Sequence, residues 1–249
     1  MSTGNPAFAH EFQGYEQVYG SAGVRTATVQ GTVGKTFGLA GILSAAAIYT
    51  WSQAAANQIQ PMVYIASIIG ALVLAIVTIV KPKLSPWTAP FYALLEGVVL
   101  GAVSYTVEKQ FRGYPGIALQ AVSMTLGALI VMLFLYATRI IRVTNRLAMI
   151  IVGATGAIGL VYLVSFIAMF FGARVPFLTS ASPLGIGFSV VVCGVAAFNL
   201  LLDFDFIERT AAAGAPKYME WYGAFGLMVT LVWLYLEILR LLSKLSRDR

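Results

Sequence analysis

The chain has 249 residues, of which 59% are hydrophobic and only 10% are charged, and its formal net charge is +6. A soluble domain carries about 25% charged residues, so this composition excludes an ordinary soluble globular protein. The basic residues are spread over loops and a short tail rather than gathered on one face, which argues against a nucleic-acid-binding protein.

The first 34 residues are polar and glycine-rich, unlike the rest of the chain. They lack the basic-then-apolar order of a signal peptide. We therefore predict a flexible cytoplasmic extension over residues 1–34, followed by a first span that serves as an uncleaved signal anchor. The predicted membrane domain covers residues 35–245, and a basic tail covers residues 246–249.

Seven apolar runs follow the extension. In chain order they cover residues 36–51, 62–80, 89–107, 116–137, 148–171, 184–203 and 221–242. Each run is suited to crossing a hydrocarbon core of about 30 Å. Only helices and closed barrels satisfy the backbone in lipid, and these runs are continuous rather than alternating. The sequence therefore predicts an all-α integral membrane protein built as a seven-transmembrane helical bundle.

The basic residues of the loops predict the orientation. With the N-terminus inside, the outer loops carry only Lys109, Arg112 and Arg174. The inner loops then carry Lys81, Lys83, Arg139, Arg142, Arg146, Arg209 and Lys217. The positive-inside bias therefore favours a cytoplasmic N-terminus. The basic C-terminal tail would then lie outside, unless the last segment is re-entrant, and both alternatives stay open.

Small residues in the third and fifth runs predict close packing of helices. Gly97 and Gly101 are four residues apart in the third run, and Gly153, Gly156 and Gly159 follow one another in the fifth. Such spacing lets helix backbones approach each other. We interpret these glycines as contacts within the fold rather than as a dimerisation surface.

Enzymatic and cofactor chemistry finds little support in the sequence. His10 is the only histidine and lies in the extension, while Cys193 is the only cysteine and lies in an apolar run. A histidine-based triad, a zinc cluster and a disulfide within the bundle are therefore excluded. We expect a protein that is not an enzyme and has no cofactor.

Acidic residues in or beside the spans are the main candidates for function. They are Glu96 in the third run, Asp203, Asp205 and Glu208 at the end of the sixth, and Glu237 deep in the seventh. A carboxylate inside a membrane span is costly and usually has a partner. Two carboxylates held close can share a proton in mild acid and bind a cation when both are charged. Asp203 and Glu237 therefore predict a pH-sensitive gate or a proton-coupled cation site. Calcium is a suitable cation because it prefers several oxygen ligands at once.

Structural interpretations of the same acids remain open at this level. Asp203 and Asp205 could be solvated at the membrane interface where the sixth helix ends. Glu237 could form an ion pair with Arg240 at i,i+3 on its own helix. Glu96 could accept a hydrogen bond from a neighbouring span.

The last fifty residues resemble the Bax inhibitor family, in a bacterial branch. The resemblance is carried by Leu-Asp-Phe-Asp-Phe-Ile-Glu at 202–208 and by Leu-Tyr-Leu-Glu-Ile-Leu at 234–239, and it extends over about residues 29–245. It implies six helices around a central seventh, and a pH-sensitive calcium leak in which Asp203 and Glu237 are sensor, gate and calcium ligands. Glu237 stands where a di-aspartyl pair would have aspartate. Lys81 and Lys83 stand where family members carry an arginine that salt-bridges the acid pair.

Three functions follow from the residues and the resemblance. The preferred one is a pH-sensitive calcium leak in the bacterial inner membrane, with calcium as the transported ion. Protons and lipid are its other partners. Its accessory residues are Asp205, Glu96, Glu208, Lys81 and Arg240. The second is a non-transporting regulator that binds a membrane protein, such as a quality-control protease, through the N-terminal extension. The third is a proton-coupled transporter of an organic solute, which predicts broken helices and a roomy site at the membrane midplane.

Overall fold

The structure is a computed structural model that describes residues 26–58, 60–111, 115–171 and 180–247. Most of the predicted extension, with His10, and the last two residues of the predicted tail lie outside these ranges. Within them the chain forms seven α-helices: α1 (Val29–Ala55), α2 (Pro61–Val80), α3 (Ser85–Gln110), α4 (Ile117–Ala137), α5 (Asn145–Phe170), α6 (Pro183–Ala212) and α7 (Met219–Arg247).

The seven helices confirm the predicted fold class. Each is long and apolar enough to cross a membrane, so the chain is a multi-pass membrane protein. In α7, 56% of the most apolar stretch is buried, against 11–33% in the other six. This burial is the one expected of a central helix.

The last helix is continuous, which bears on one alternative left open by the sequence. It runs without a break from Met219 to Arg247, so the structure does not support a re-entrant last segment. Seven full crossings would place the two ends of the helical domain on opposite sides of the membrane. With a cytoplasmic N-terminus, the basic tail would therefore lie outside.

The first helix begins earlier than its apolar run. Thr28 caps α1 because its hydroxyl accepts a hydrogen bond from Gly31 N at 3.0 Å, as N-cap residues commonly do. Residues 29–34, which we predicted as part of the extension, are therefore the first turns of α1.

The described residues divide into two compact units. Among the described residues, the first unit comprises residues 26–102 and 205–228, and the second comprises residues 103–204 and 229–247. Helices α3, α6 and α7 contribute residues to both.

Two of the predicted glycine contacts occur in the first unit. The Cα atoms of Gly97 and Gly101 on α3 face the carbonyl oxygens of Leu43 and Ala47 on α1, with no room for a Cβ. These two glycines therefore pack helices within the fold, as predicted. The glycines of α5 differ, because a Cβ at Gly153, Gly156 or Gly159 would meet no described atom within 4 Å.

We expect Gly101→Ala to destabilise the protein by about 1–3 kcal/mol, the usual cost of overpacking. A Cβ there would lie 2.9 Å from the Thr50 Cβ and closer still to the Ala47 carbonyl oxygen. Thermal unfolding in detergent measures the effect. The matched control is Gly127→Ala on α4, where a Cβ meets open space and should be neutral or stabilising. Equal destabilisation by both changes would contradict the packing argument.

Candidate functional site

Two polar contacts in the second unit set the register between α6 and α7. Asp203 forms a side-chain hydrogen bond with Thr230, and Lys244 Nζ donates to Ser189 Oγ at 2.8 Å. The second contact lies 14 residues earlier than the first on α6, at Ser189, and 14 residues later on α7, at Lys244. The two helices are therefore antiparallel and in register. Glu237 lies midway between these contacts.

Glu237 is buried and its charge is compensated by neighbouring side chains. Its residue exposure is 2%. Arg240 Nη1 lies 2.9 Å from both carboxylate oxygens, and Tyr162 on α5 donates its hydroxyl to Oε1 at 2.8 Å. The same Tyr162 hydroxyl accepts from Arg240 at 2.6 Å. The i,i+3 ion pair, which the sequence left open, is therefore present and extends to a second helix, α5.

Asp203 has one carboxylate oxygen without a partner. The residue is half-buried, but its Oδ2 atom is buried and has no hydrogen-bond partner among the described residues. An unsatisfied buried polar atom costs roughly 1–3 kcal/mol, and more when it is charged. The interpretation of Asp203 as a solvated interfacial residue therefore does not fit this oxygen.

Asp203 and Glu237 do not share a hydrogen bond in this structure. Thr230, which binds Asp203, precedes Glu237 by seven residues on α7. At the helical rise this separation is about 10 Å along the axis. The two acids therefore lie in the same α6–α7 pair but about two turns apart.

The other predicted site residues lie in the first unit. Asp205 forms an i,i+4 ion pair with Arg209, with 2.7 Å between Oδ2 and Nε. Glu96 is half-buried on α3, and Glu208 is half-buried on α6. Lys81 is exposed and directly follows α2.

Several polar residues of the second unit were not singled out from the sequence. They are Tyr162, Thr230 and Lys244. Thr230, Glu237 and Lys244 are spaced seven residues apart, so they lie on one face of α7. That spacing in an apolar helix was the signal that could have revealed Thr230 and Lys244. We call this set of residues the polar line: Ser189 and Asp203 on α6, with Thr230, Glu237 and Lys244 on α7.

A second buried acid, Glu220, lies at the start of α7 in the first unit. It is 0% exposed and accepts from the backbone N and the hydroxyl of Thr28, both at 2.9 Å. Lys217 Nζ donates to it at 2.6 Å, and Lys35 on α1 forms a further ion pair with it. Glu220 therefore joins the starts of the first and last helices.

Comparison with known protein families gives a match over nearly the whole chain. A family model described as Bax inhibitor 1 like matches residues 5–247. No curated protein and no solved structure matches significantly.

Proposed function

The chain belongs to the Bax inhibitor 1 like family, and from that premise we propose that it is a pH-sensitive calcium leak channel with Asp203 and Glu237 as its sensing carboxylates. The proposal includes the bacterial inner membrane as its location and a cytoplasmic N-terminus. The observation that carries it is the buried, unpartnered Oδ2 of Asp203 inside a helix long enough to span the membrane.

Asp203 offers oxygen ligands to a passing cation. Calcium is bound by carboxylate, carbonyl and hydroxyl oxygens. The free oxygen of Asp203 and the hydroxyl of its partner Thr230 are oxygens of this kind. A carboxylate without a counter-charge in an apolar region binds either a proton or a cation, and pH decides which.

Glu237 has a tethered counter-cation, so calcium must compete with Arg240 for it. The side chain of Arg240 is 42% exposed, so the guanidinium can leave Glu237 without crossing a packed core. In family members the arginine that salt-bridges the acid pair comes from near the end of the second helix. Here Arg240 of the last helix would take that role. We therefore propose two carboxylate sites in series rather than a direct, proton-sharing pair.

The direction of the pH response follows from the charges around Glu237. Tyr162 from α5 and Arg240 from α7 contact its carboxylate. Cys193 on α6 and Lys244 on α7 interact with it electrostatically. Protonation of Glu237 would leave the charge of Arg240 uncompensated, which repels calcium, and protonation of Asp203 would remove its ligand charge. Flux should therefore fall as the pH falls.

We expect the purified protein in dye-loaded proteoliposomes to pass calcium above empty liposomes, more at pH 8 than at about pH 5.5. Asp203→Asn should lower the flux at pH 8 by roughly tenfold, equivalent to about 1.4 kcal/mol, because it removes the free carboxylate. Asp205→Asn is the matched control: it makes the same change two residues away in a partly exposed ion pair. A similar loss in both variants would contradict a specific role for Asp203.

Absence of flux at every pH would favour the partner-binding regulator. One observation gives that role a route to α7: Ala27 N donates to Ala215 O at 2.7 Å, and Thr26 bridges to Pro216 in the α6–α7 loop. A partner held by the extension would thus act next to the last helix. The matching deletion is residues 2–25, because residues 26–35 carry the cap and contacts of α1. A leak should survive this deletion, whereas partner binding through the extension should not.

A further inference from the structure

Lys244 is a buried cation near the C-terminal end of α7. Its exposure is 3%, and its Nζ donates at 2.8 Å to two oxygens of α6, the carbonyl of Gly185 and the hydroxyl of Ser189. Neither oxygen carries a negative charge. Burial of an ammonium against neutral groups is costly, so packing alone is a poor reason for a lysine at this position.

The place of Lys244 in the polar line points to a role in cation entry. It lies seven residues beyond Glu237 on α7, about 10 Å along the axis. Cys193 lies four residues after Ser189 on α6, and Arg240 lies four residues before Lys244 on α7. In the antiparallel register, Cys193 therefore lies opposite Arg240. The electrostatic neighbours of Cys193 are indeed Glu237 and Arg240. A cation that enters from the C-terminal end of α7 would therefore meet Lys244 first, then the level of Cys193, and then Glu237.

We propose that Lys244 is a specificity-determining residue whose tethered ammonium closes this end of the polar line and limits cation entry. The Gly185 carbonyl and the Ser189 hydroxyl are oxygens that calcium accepts as ligands, and the ammonium occupies both. Its charge also repels a divalent cation. Lys244 thus acts in series with Arg240, which occupies Glu237. The effect on calcium flux rests on the proposed function, whereas closure of this end does not.

The test compares Lys244→Met with the wild type in two measurements on the full-length protein in proteoliposomes. Methionine keeps an unbranched side chain but removes the charge and the donors. The first measurement is calcium flux at pH 8, which should increase several-fold. The second is the rate at which a small cationic methanethiosulfonate modifies Cys193, the only cysteine of the chain, and this rate should also increase several-fold. Lys244→Arg, which keeps the charge, should leave both values near those of the wild type.

Lys109→Met on α3 is the matched control, because it removes an exposed lysine that is not part of the polar line and should change neither measurement. If Lys244→Met folds poorly, Ser189→Ala removes one of the two acceptors and should raise both values by a smaller factor. If the variants speed Cys193 modification but the wild type passes no calcium, closure by Lys244 is supported and the calcium leak is rejected. Unchanged or slower Cys193 modification in both folded variants would overturn the role of Lys244, whatever the wild-type flux.

Discussion

Replacement of Glu237 by glutamine should lower calcium flux at pH 8 by about tenfold or more and flatten its pH dependence. The change removes the buried negative charge that would bind calcium after Arg240 leaves, and it leaves the cation of Arg240 beside the site. Charge-assisted hydrogen bonds contribute about 1.5–3 kcal/mol each, and about 1.4 kcal/mol corresponds to a factor of ten. Flux into dye-loaded proteoliposomes across the pH range measures both effects.

The control for this variant is Glu96→Gln, the same chemical change in a half-buried glutamate of the first unit. It should alter stability or total flux while the pH midpoint stays close to that of the wild type. If Glu237→Gln kept the wild-type midpoint, or if Glu96→Gln shifted it equally, Glu237 would not be the sensor.

Replacement of Glu220 by glutamine should lower the free energy of unfolding by about 3 kcal/mol, in the range found when one partner of a buried ion pair is removed. The carboxylate is fully buried, and the side chain of Lys35 is only 18% exposed, so the lysine would lose its counter-charge in a poorly solvated place. The N-terminal turn of α7 would also lose a favourable negative charge. The unfolding midpoint in detergent measures the loss.

Two further variants separate this ion-pair effect from general damage. Asp205→Asn breaks the Asp205–Arg209 pair, in which both side chains are partly exposed, and should cost less than about 1 kcal/mol. Adding Lys35→Met to Glu220→Gln should recover part of the stability, because no uncompensated charge then remains on α1. Strictly additive losses in the double variant would show that Lys35 and Glu220 are not coupled.

The helices could be predicted from the sequence because lipid leaves few choices for the backbone. Long, continuous apolar runs in a membrane must be helices. Five of the seven predicted runs fall within helices of the structure, and the other two extend one residue beyond a helix end. The ends were less predictable, since tertiary contacts fix them. Helix α1 starts at Val29 because Thr28 caps it and also binds Glu220, which lies 192 residues later.

The geometry of the acids depended on register, which hydropathy does not report. Asp203 and Glu237 were expected to meet because they lie on consecutive helices. Antiparallel helices joined by a short turn pair residues that are equally distant from the turn. Counted outward from the bond between Pro216 and Lys217 in the α6–α7 loop, Asp203 falls opposite Thr230, as the hydrogen bond shows. Glu237 falls opposite Ala196 and takes its partners from α5 and its own helix.

Lys244 and Tyr162 were harder to find from the sequence for a physical reason. A lysine near a helix end usually extends its charge towards water, and one tyrosine in an apolar run is usually packing. Only the fold places the ammonium of Lys244 against the first turns of α6 and the hydroxyl of Tyr162 between Glu237 and Arg240.

The most direct test of the central claim is calcium flux through the double variant Asp203→Asn, Glu237→Gln beside the wild type, from about pH 5.5 to 8. Both changes keep the side-chain size and remove only the charge. The two-carboxylate mechanism predicts wild-type flux that rises with pH and variant flux that stays at the level of empty liposomes. A folded double variant whose flux–pH curve overlays that of the wild type would contradict it.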